Sequence, residues 1–271
     1  MTDPAPLDPG RVSVRRLRIR LGHGVQAFDA LNAVDVEIEA GAFICVLGPS
    51  GCGKSTLLGA LAGHLQPAEG EILVDGQPVR GPHPERGLVF QQHTLFPWLK
   101  LVDNVAFGPK MSGVGKAQRR EQALAALDLV GLRDFADFHP AQLSGGMQQR
   151  AEIARVLINR PRVLLMDEPF GALDAQTRAQ MQAQLLDAWT RVRTTVIFIT
   201  HDVDEALFLA DRVLVLSSRP GRVIADLPIG FGRPRDPALV TAPDFVALKR
   251  RCIDLLAAQT SLSRLSPLGV H

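Results

Sequence analysis

The stretch from Gly48 to Thr56 constrains this chain more than any other. It fits the pattern G-x-x-x-x-G-K-[ST], whose glycines let the backbone turn tightly and direct N–H groups at phosphate oxygens. The apolar run Phe43–Leu47 predicts a strand before it, and a helix is predicted from Ser55 onward. This order predicts an α/β fold with a phosphate-binding loop. The expected phosphate-binding residues are Gly48, Pro49, Ser50, Gly51, Cys52, Gly53, Lys54, Ser55 and Thr56.

Two side chains of this loop carry specific chemistry. Lys54 would place a compact positive charge at the β- and γ-phosphates of a nucleotide. The hydroxyl of Ser55 can join the oxygen shell of a Mg²⁺ ion. The positive end of the following helix dipole favours the same anion. The loop therefore predicts a nucleoside triphosphate with Mg²⁺ as the ligand.

A second group of polar residues follows buried strands further along the chain. Asp167 and Glu168 come directly after the apolar run 163–166, so both should lie at the carboxyl end of a strand, where open α/β sheets bind ligands. Asp167 is placed to hold Mg²⁺, and Glu168 to polarise an attacking water. His201 follows the run 195–200 in the same way, although a lone histidine there is more often structural.

A Ser-Gly-Gly turn upstream of the acidic pair opens another helix. It would form a second anion-binding helix N-terminus. Because one nucleotide needs only one such loop, a second one favours a composite site, in which this turn of one subunit closes on the γ-phosphate held by another. Its residues are Leu143, Ser144, Gly145, Gly146, Met147 and Gln148.

Composition narrows the function classes. The chain has 271 residues, long for one domain and short for two, and its 30 Lys and Arg against 28 Asp and Glu argue weakly against a nucleic-acid protein. No apolar run approaches the roughly 20 residues of a membrane helix, and the polar, proline-rich start lacks a signal-peptide pattern, so a cytoplasmic protein is expected. The three cysteines follow no metal-ligand spacing.

Short apolar strands alternating with helices predict a mainly parallel sheet. The predicted order is a disordered lead at 1–10, strands at 11–21 and 34–38 forming an N-terminal antiparallel β region, the core strand and phosphate loop, and strands at 70–76 and 88–90. An inserted helical subdomain at about 96–158 follows, then a strand at 163–166, a helix at 175–192, a strand at 195–200, a hairpin at 213–224 and a tail helix at 245–256.

At this point the chain resembles the ATP-binding subunits of ABC transporters over roughly residues 11–258, a branch of the P-loop NTPases. The phosphate loop Gly48–Thr56 matches the phosphate loop of that family. The other matching elements are the Q-loop glutamine Gln91, the signature Leu143–Gln148, the magnesium carboxylate Asp167, the general base Glu168, the D-loop Ala172–Asp174 and the switch histidine His201. The domain implied covers 11–228, with 229–271 as a C-terminal extension.

The resemblance implies roles for these residues. Glu168, His201 and Gln91 would be catalytic, and Ser55, Gln91 and Asp167 would hold Mg²⁺ beside ATP. In the family, the Q-loop also senses the membrane partner. Ser144 with the backbone of Gly145 and Gly146 contacts the γ-phosphate across a dimer. His201 contacts it from the same side as Lys54.

A finer resemblance is to importers of nitrate, taurine and alkanesulfonates, although branches for pyrimidine precursors share the pattern. It rests on Leu95–Leu99, Asp103–Val105, Met147 in the signature, and His201–Ala206 leading to Ser218–Gly221. It implies a homodimer or a pair with a related cassette, docked on two membrane permease subunits at the cytoplasmic face of the cell membrane. A periplasmic or extracellular binding protein would deliver the substrate.

Two other functions are alternatives to an importer ATPase. A soluble ABC ATPase acting on nucleic acid or ribosomes usually carries two cassettes, zinc insertions or long coiled coils, and the sequence shows none of these. An unrelated P-loop kinase or GTPase would lack the Leu-Ser-Gly-Gly stretch and the switch histidine.

The sequence does not decide which residue stacks on the adenine base. The family stacks adenine on an aromatic residue at the end of the first strand, but this chain has no tyrosine and places Leu21 there. His23 or Phe28 could substitute; if neither does, GTP should be hydrolysed almost as well as ATP.

The turn Phe96–Trp98 is expected to be exposed and to face the membrane partner, the alternative being that it packs inside the helical subdomain.

Overall fold

The structure, a computed structural model, describes residues 8–22, 24–92, 94–171 and 173–265. Two compact units divide these residues. The phosphate-loop unit holds residues 10–82 and 195–265, and the helical unit holds residues 8–9 and 83–194. Of the lead predicted at 1–10, residues 1–7 lie outside the described part, whereas Gly10 is buried and its carbonyl accepts a hydrogen bond from the Thr195 hydroxyl at 2.7 Å.

The described elements follow the predicted alternation. In chain order the strands are β1 Val12–Leu21, β2 Phe28–Ile38, β3 Phe43–Leu47, β4 Glu69–Val74, β5 Gln77–Pro78, β6 Arg86–Val89, β7 Val163–Asp167, β8 Thr195–Ile199, β9 Arg212–Leu216 and β10 Val223–Pro228. The helices are α1 Lys54–Ala62, α2 Leu101–Val105, α3 Phe107–Met111, α4 Lys116–Leu129, α5 Gly145–Leu157, α6 Ala175–Val192, α7 Val203–Leu209 and α8 Pro243–Leu265.

An antiparallel sheet in the phosphate-loop unit has the strand order β2-β1-β4-β5. β1 alternates buried valine, leucine and isoleucine with arginines, as a strand with one solvated face should. β2 begins at Phe28, six residues before the predicted start. The ladder shifts register on either side of Leu17, and Ala33 has a φ of 50°. These irregularities break the period-2 pattern from which strands are recognised.

The parallel core of this unit is built on β3. It pairs in parallel with β8 and with β9, and β10 closes the edge antiparallel to β9. Every residue of β3 and of β8 is buried, which explains why both read as unbroken apolar runs. The carboxyl ends of these two strands lead to Gly48 and to His201.

The helical unit combines a parallel strand pair with a helical cluster. β6 and β7 pair in parallel, from Arg86 opposite Val163 to Val89 opposite Met166. Helices α2, α4 and α5 share an apolar core that includes Leu101, Leu127 and Ala151. These helices lie within the block predicted at about 96–158.

Helix α8 is longer than predicted: it spans Pro243–Leu265, where the sequence pattern indicates 245–256. Its anchor is the buried Phe245, whose ring stacks on Phe231 with centroids 5.8 Å apart. None of the helices in the described ranges combines the length and apolar character needed to cross a membrane. The predicted fold class, with its parallel strands, antiparallel region and helical insertion, is confirmed.

Candidate nucleotide-binding and hydrolysis site

The phosphate loop wraps around the side chain of Lys54. This lysine is only 8% exposed, and its ammonium donates hydrogen bonds to the carbonyls of Gly48, at 2.8 Å, and Pro49, at 3.2 Å. Ser55, whose hydroxyl could bind Mg²⁺, is the second residue of α1 and is exposed. A folded loop with a central cation and the N-terminus of α1 suits a polyphosphate anion.

Close packing explains why the loop has glycine at positions 48 and 53. A Cβ atom on Gly53, which has a φ of 105°, would lie 2.8 Å from Cδ2 of Leu31 and 2.9 Å from the Ala30 carbonyl oxygen. A Cβ on Gly48 would lie 2.7 Å from Sγ of Cys52. The Cys52 side chain is buried, and burial raises the pKa of its thiol, with Lys54 opposing the change. The Cys52 thiol is therefore packed inside the loop, and the Cys52 N–H donates to the Pro49 carbonyl at 3.3 Å.

His201 lies at the end of β8, in the same unit as the phosphate loop, and is exposed. The next residue, Asp202, caps α7: its carboxylate accepts hydrogen bonds from the backbone N–H groups of Asp204, at 2.9 Å, and Glu205, at 3.1 Å. The Asp202 N–H in turn donates to the Thr200 hydroxyl at 3.0 Å. These bonds fix the backbone on both sides of His201.

An aromatic ring and an arginine stand where the sequence left the base contact open. Leu21 and Phe28 lie opposite each other in the β1–β2 ladder. Leu21 is half-buried, whereas Phe28 is 40% exposed. The guanidinium carbon of Arg219 lies 4.5 Å from the centroid of the Phe28 ring, a cation–π contact. His23 lies outside the described residues.

The turn that carries Arg219 is hydrogen-bonded to β2 and lies close to the phosphate loop. Gly221 donates to the Ala30 carbonyl at 2.9 Å, and its own carbonyl accepts from the Asn32 N–H at 3.0 Å. A Cβ on Gly221 would lie 2.2 Å from the Cys52 carbonyl oxygen. Sequence reasoning does not single out Arg219, which the structure places over the Phe28 ring. The only local signal was the Arg-Pro-Gly turn, because the ring it covers is far away in the chain.

The helical unit brings Gln91 and Glu168 together. A Cβ on Gly171 would lie 3.7 Å from Nε2 of Gln91 and 3.8 Å from Oε2 of Glu168, so both side chains border the same space. Glu168 has a φ of 43°, in the left-handed region. Such a conformation costs a non-glycine residue roughly 1–3 kcal/mol and is typical of functional positions. Asp167 ends β7 immediately before it.

The predicted signature divides into exposed and structural residues. Ser144 is the N-cap of α5, where its hydroxyl accepts from the Met147 N–H at 3.3 Å, and both Ser144 and Gly145 are exposed. Leu143, Gly146, Met147 and Gln148 are buried or half-buried. The Gln148 amide donates to the carbonyls of Pro140 and Leu143. The exposed helix N-terminus is therefore the part that can meet an anion.

Asp174, predicted as the D-loop aspartate, is the N-cap of α6. It accepts from the Thr177 N–H at 3.0 Å and from the Thr177 hydroxyl at 2.6 Å. These bonds lower the pKa of its carboxyl. Ala172 lies outside the described residues.

The donor set predicted for Mg²⁺ fits that ion chemically. The Ser55 hydroxyl, the Gln91 amide and the Asp167 carboxylate all offer hard oxygen atoms, which Mg²⁺ prefers together with water and phosphate oxygens.

Comparison with known proteins identifies the family. The family described as ABC transporter matches residues 31–171. The chain belongs to the ABC transporter family. It is 52% identical over 202 residues to the nitrate import ATP-binding protein of Synechocystis sp., covering 74% of this chain and 76% of that protein. It is 52% identical over 204 residues to the taurine import ATP-binding protein of Rhizobium johnstonii, covering 75% and 78%.

A solved relative is an ATP-binding cassette in a dimeric post-hydrolysis state bound to ADP and Pi. It is 32% identical, has a TM-score of 0.70, and the match covers 81% of this chain and all of that one. The predicted family, its importer branch and the P-loop ATPase fold are thereby confirmed, and the protein is an ATP-hydrolysing cassette.

Proposed function

We propose that this protein powers the import of a small anion of the nitrate, taurine or sulfonate type through a membrane permease. The observation that carries the proposal is its 52% identity to two proteins named for nitrate and taurine import, over about three quarters of the chain. The transported molecule itself touches the permease and not this subunit.

Each predicted residue has a task in hydrolysis. Lys54 and the N–H groups of the phosphate loop bind and orient the β- and γ-phosphates. Ser55, Asp167 and Gln91 would hold Mg²⁺, which when bound neutralises charge on the phosphate oxygens. Glu168 orients the attacking water and draws off its proton, with Gln91 beside it, and His201 stabilises the γ-phosphate.

For the base, we place adenine against Phe28, with Arg219 on the ring. Phe28 has the exposed aromatic surface that Leu21 lacks, and Arg219 contacts the ring from a turn that is hydrogen-bonded to β2. Base–aromatic stacking contributes about 1–3 kcal/mol and depends little on which base is stacked, so Phe28 would strengthen ATP and GTP binding alike and would not by itself create a preference for ATP.

A dimer would complete the site. The N-terminus of α5, with Ser144 and Gly145 exposed, offers N–H groups that the same chain's nucleotide does not require. The solved cassette that resembles this chain is dimeric and holds ADP and Pi. The partner would be a second copy or a related cassette, and residues 11–228 would form its ATPase domain, with 229–271 as an extension.

The exposed turn Phe96–Trp98, called the docking turn below, is the proposed contact with the permease. Trp98 is 72% exposed, whereas Phe96 is half-buried and packs on Phe107 with ring centroids 4.7 Å apart. An exposed tryptophan beside a half-buried, packed aromatic ring is typical of an interface. The protein would then act as a peripheral subunit on the cytoplasmic face of the membrane, with a binding protein delivering the substrate to the permease outside.

Co-purification from membranes tests this proposal. The tagged protein should bring down a permease, and the ligand of the neighbouring binding protein should be a small anion. Trp98→Ala should lose the permease and its stimulation of ATPase activity, while the isolated variant hydrolyses ATP as before. ATPase activity stimulated by nucleic acid or ribosomes, with no membrane partner, would favour the soluble alternative instead.

A further inference from the structure

One residue between Gln91 and the docking turn has all its polar groups held by a single helix. The Thr94 N–H donates to the carboxylate of Glu152. Arg155 donates to the Thr94 carbonyl at 2.8 Å and, through its second terminal nitrogen, to the Thr94 hydroxyl. Glu152 and Arg155 are three residues apart on α5, so they project from one face of that helix. We call these three residues the Thr94 clamp.

The hydrogen bonds of the clamp hold Thr94 firmly against α5. Glu152 is 1% exposed and Arg155 is half-buried, so their bonds to Thr94 are largely shielded from water. Hydrogen bonds with an ionised partner are about twice as strong as neutral ones, and a two-pronged guanidinium also fixes orientation. The same guanidinium lies 5.6 Å from the centroid of the Phe96 ring, so Arg155 holds the first residue of the docking turn as well.

The docking turn is itself rigid. Asn104, fully buried on α2, accepts from the Phe96 N–H at 2.7 Å and donates to the carbonyls of Phe96 at 3.0 Å and Leu99 at 3.1 Å. A displacement of Trp98 is therefore transmitted to the backbone of Phe96 and from there to Thr94, rather than absorbed within the turn.

The clamp is linked to the proposed hydrolytic residues along the chain and along α5. Upstream of Thr94, Gln91 borders Glu168 across Gly171. On the other side, Glu152 lies about two helical turns from Ser144, the N-cap of α5. A rigid helix carries motion along its length, so a force on Thr94 reaches the N-terminus of α5, and Gln91 lies three residues before Thr94 in the chain.

We propose that Glu152 and Arg155 are positioning residues that couple the docking turn to hydrolysis. When the permease moves the docking turn, the clamp moves α5 with it and shifts Ser144 and Gly145 together with Gln91. The inference rests on the proposed docking function, but it concerns different residues from those that touch ATP or the permease.

The test uses the full-length protein assembled with its permease and measures ATPase activity with and without the permease. Arg155→Lys keeps the charge but loses the two-pronged bond and the ring contact. Thr94→Val keeps the shape of the side chain but loses its hydroxyl. Each should keep basal activity near that of the unmodified protein and lose about 2- to 30-fold of the stimulation, the range found for mutations that alter coupling.

Controls separate coupling from folding and from the proposed function. Arg120→Lys, an exposed arginine of the same unit that pairs with Asp137, should change neither activity. The double variant of Thr94 and Arg155 should lose no more stimulation than the worse single variant, because both belong to one clamp. Equal loss of basal and stimulated activity, or full stimulation in both single variants, would overturn the clamp. If the unmodified protein is not stimulated by any permease, the docking function fails and not the clamp alone.

Discussion

Glu168 is the residue on which, in our proposal, the hydrolytic step depends. Its carboxylate and the Gln91 amide border the same space beside Gly171, and its backbone is held in the left-handed region. Glu168→Gln should keep the shape and hydrogen bonding of the side chain but lose the charge that orients water and accepts its proton. We expect ATP to bind with little change while turnover falls about 10²- to 10⁴-fold. Nucleotide binding and phosphate release measure the two effects, and Lys54→Ala is the contrast, because it should lose binding itself. Turnover close to that of the unmodified protein in Glu168→Gln would remove Glu168 from its role.

Phe28 supplies a second prediction at the scale of single residues. Phe28→Ala should weaken ATP and GTP binding alike by about 1–3 kcal/mol, because stacking depends little on the base. Inorganic triphosphate, which has no base, should bind as before. Leu21→Ala is the matched control on the opposite strand and should change nucleotide binding less. Isothermal titration gives all three affinities. Equal losses in the two variants would show that Phe28 has no special part in binding the base.

Single elements show why much of the fold could be predicted from the sequence. β3 matches its predicted bounds because all five of its residues are buried and apolar. α6 matches because Asp174 caps one end, and Arg193 at the other end takes a φ of 55°. β2 was predicted too short because its register shifts break the alternation. α8 runs past its predicted end because no glycine or proline stops it before Leu265.

Some residues of the candidate site could likewise be predicted from the sequence, and others could not. The phosphate loop, Asp167, Glu168 and His201 follow strands directly, so local patterns are enough to predict them as site residues. Arg219 over Phe28 and Arg155 on Thr94 are contacts between distant parts of the chain; the second joins residues 61 positions apart. One sequence carries no local signal for such pairs.

The cap of α6 gives a prediction for an element. Hydrogen bonds from Thr177 lower the folded pKa of Asp174 below its unfolded value. The ionised carboxylate therefore contributes stability above the unfolded pKa, and this contribution is lost as the pH falls through the folded pKa. Asp174→Asn keeps an oxygen acceptor but does not titrate. The stability advantage of the unmodified protein over this variant should shrink between about pH 5 and pH 2. Thermal unfolding across that range measures it, and a constant difference would contradict the assignment.

At the scale of the whole molecule, the proposed dimer predicts complementation. A Ser144→Ala subunit keeps its phosphate loop, and a Lys54→Ala subunit keeps its signature. Each variant alone should lack hydrolysis, because both of its composite sites are broken. Mixing them should form heterodimers with one intact and one doubly broken site, and part of the ATPase activity should return. Light scattering with activity assays tests this. Activity equal to the sum of the separate variants would mean that Ser144 does not act across a dimer.

The central claim is that hydrolysis at this subunit drives import. Uptake of labelled nitrate, taurine or an alkanesulfonate into vesicles tests it most directly. The vesicles contain the co-purified permease and its binding protein, with ATP on the side that carries this subunit. We expect uptake that requires ATP in the unmodified complex, and none in the complex with Glu168→Gln, although that complex assembles and binds ATP. Uptake at the unmodified rate with Glu168→Gln would contradict the account.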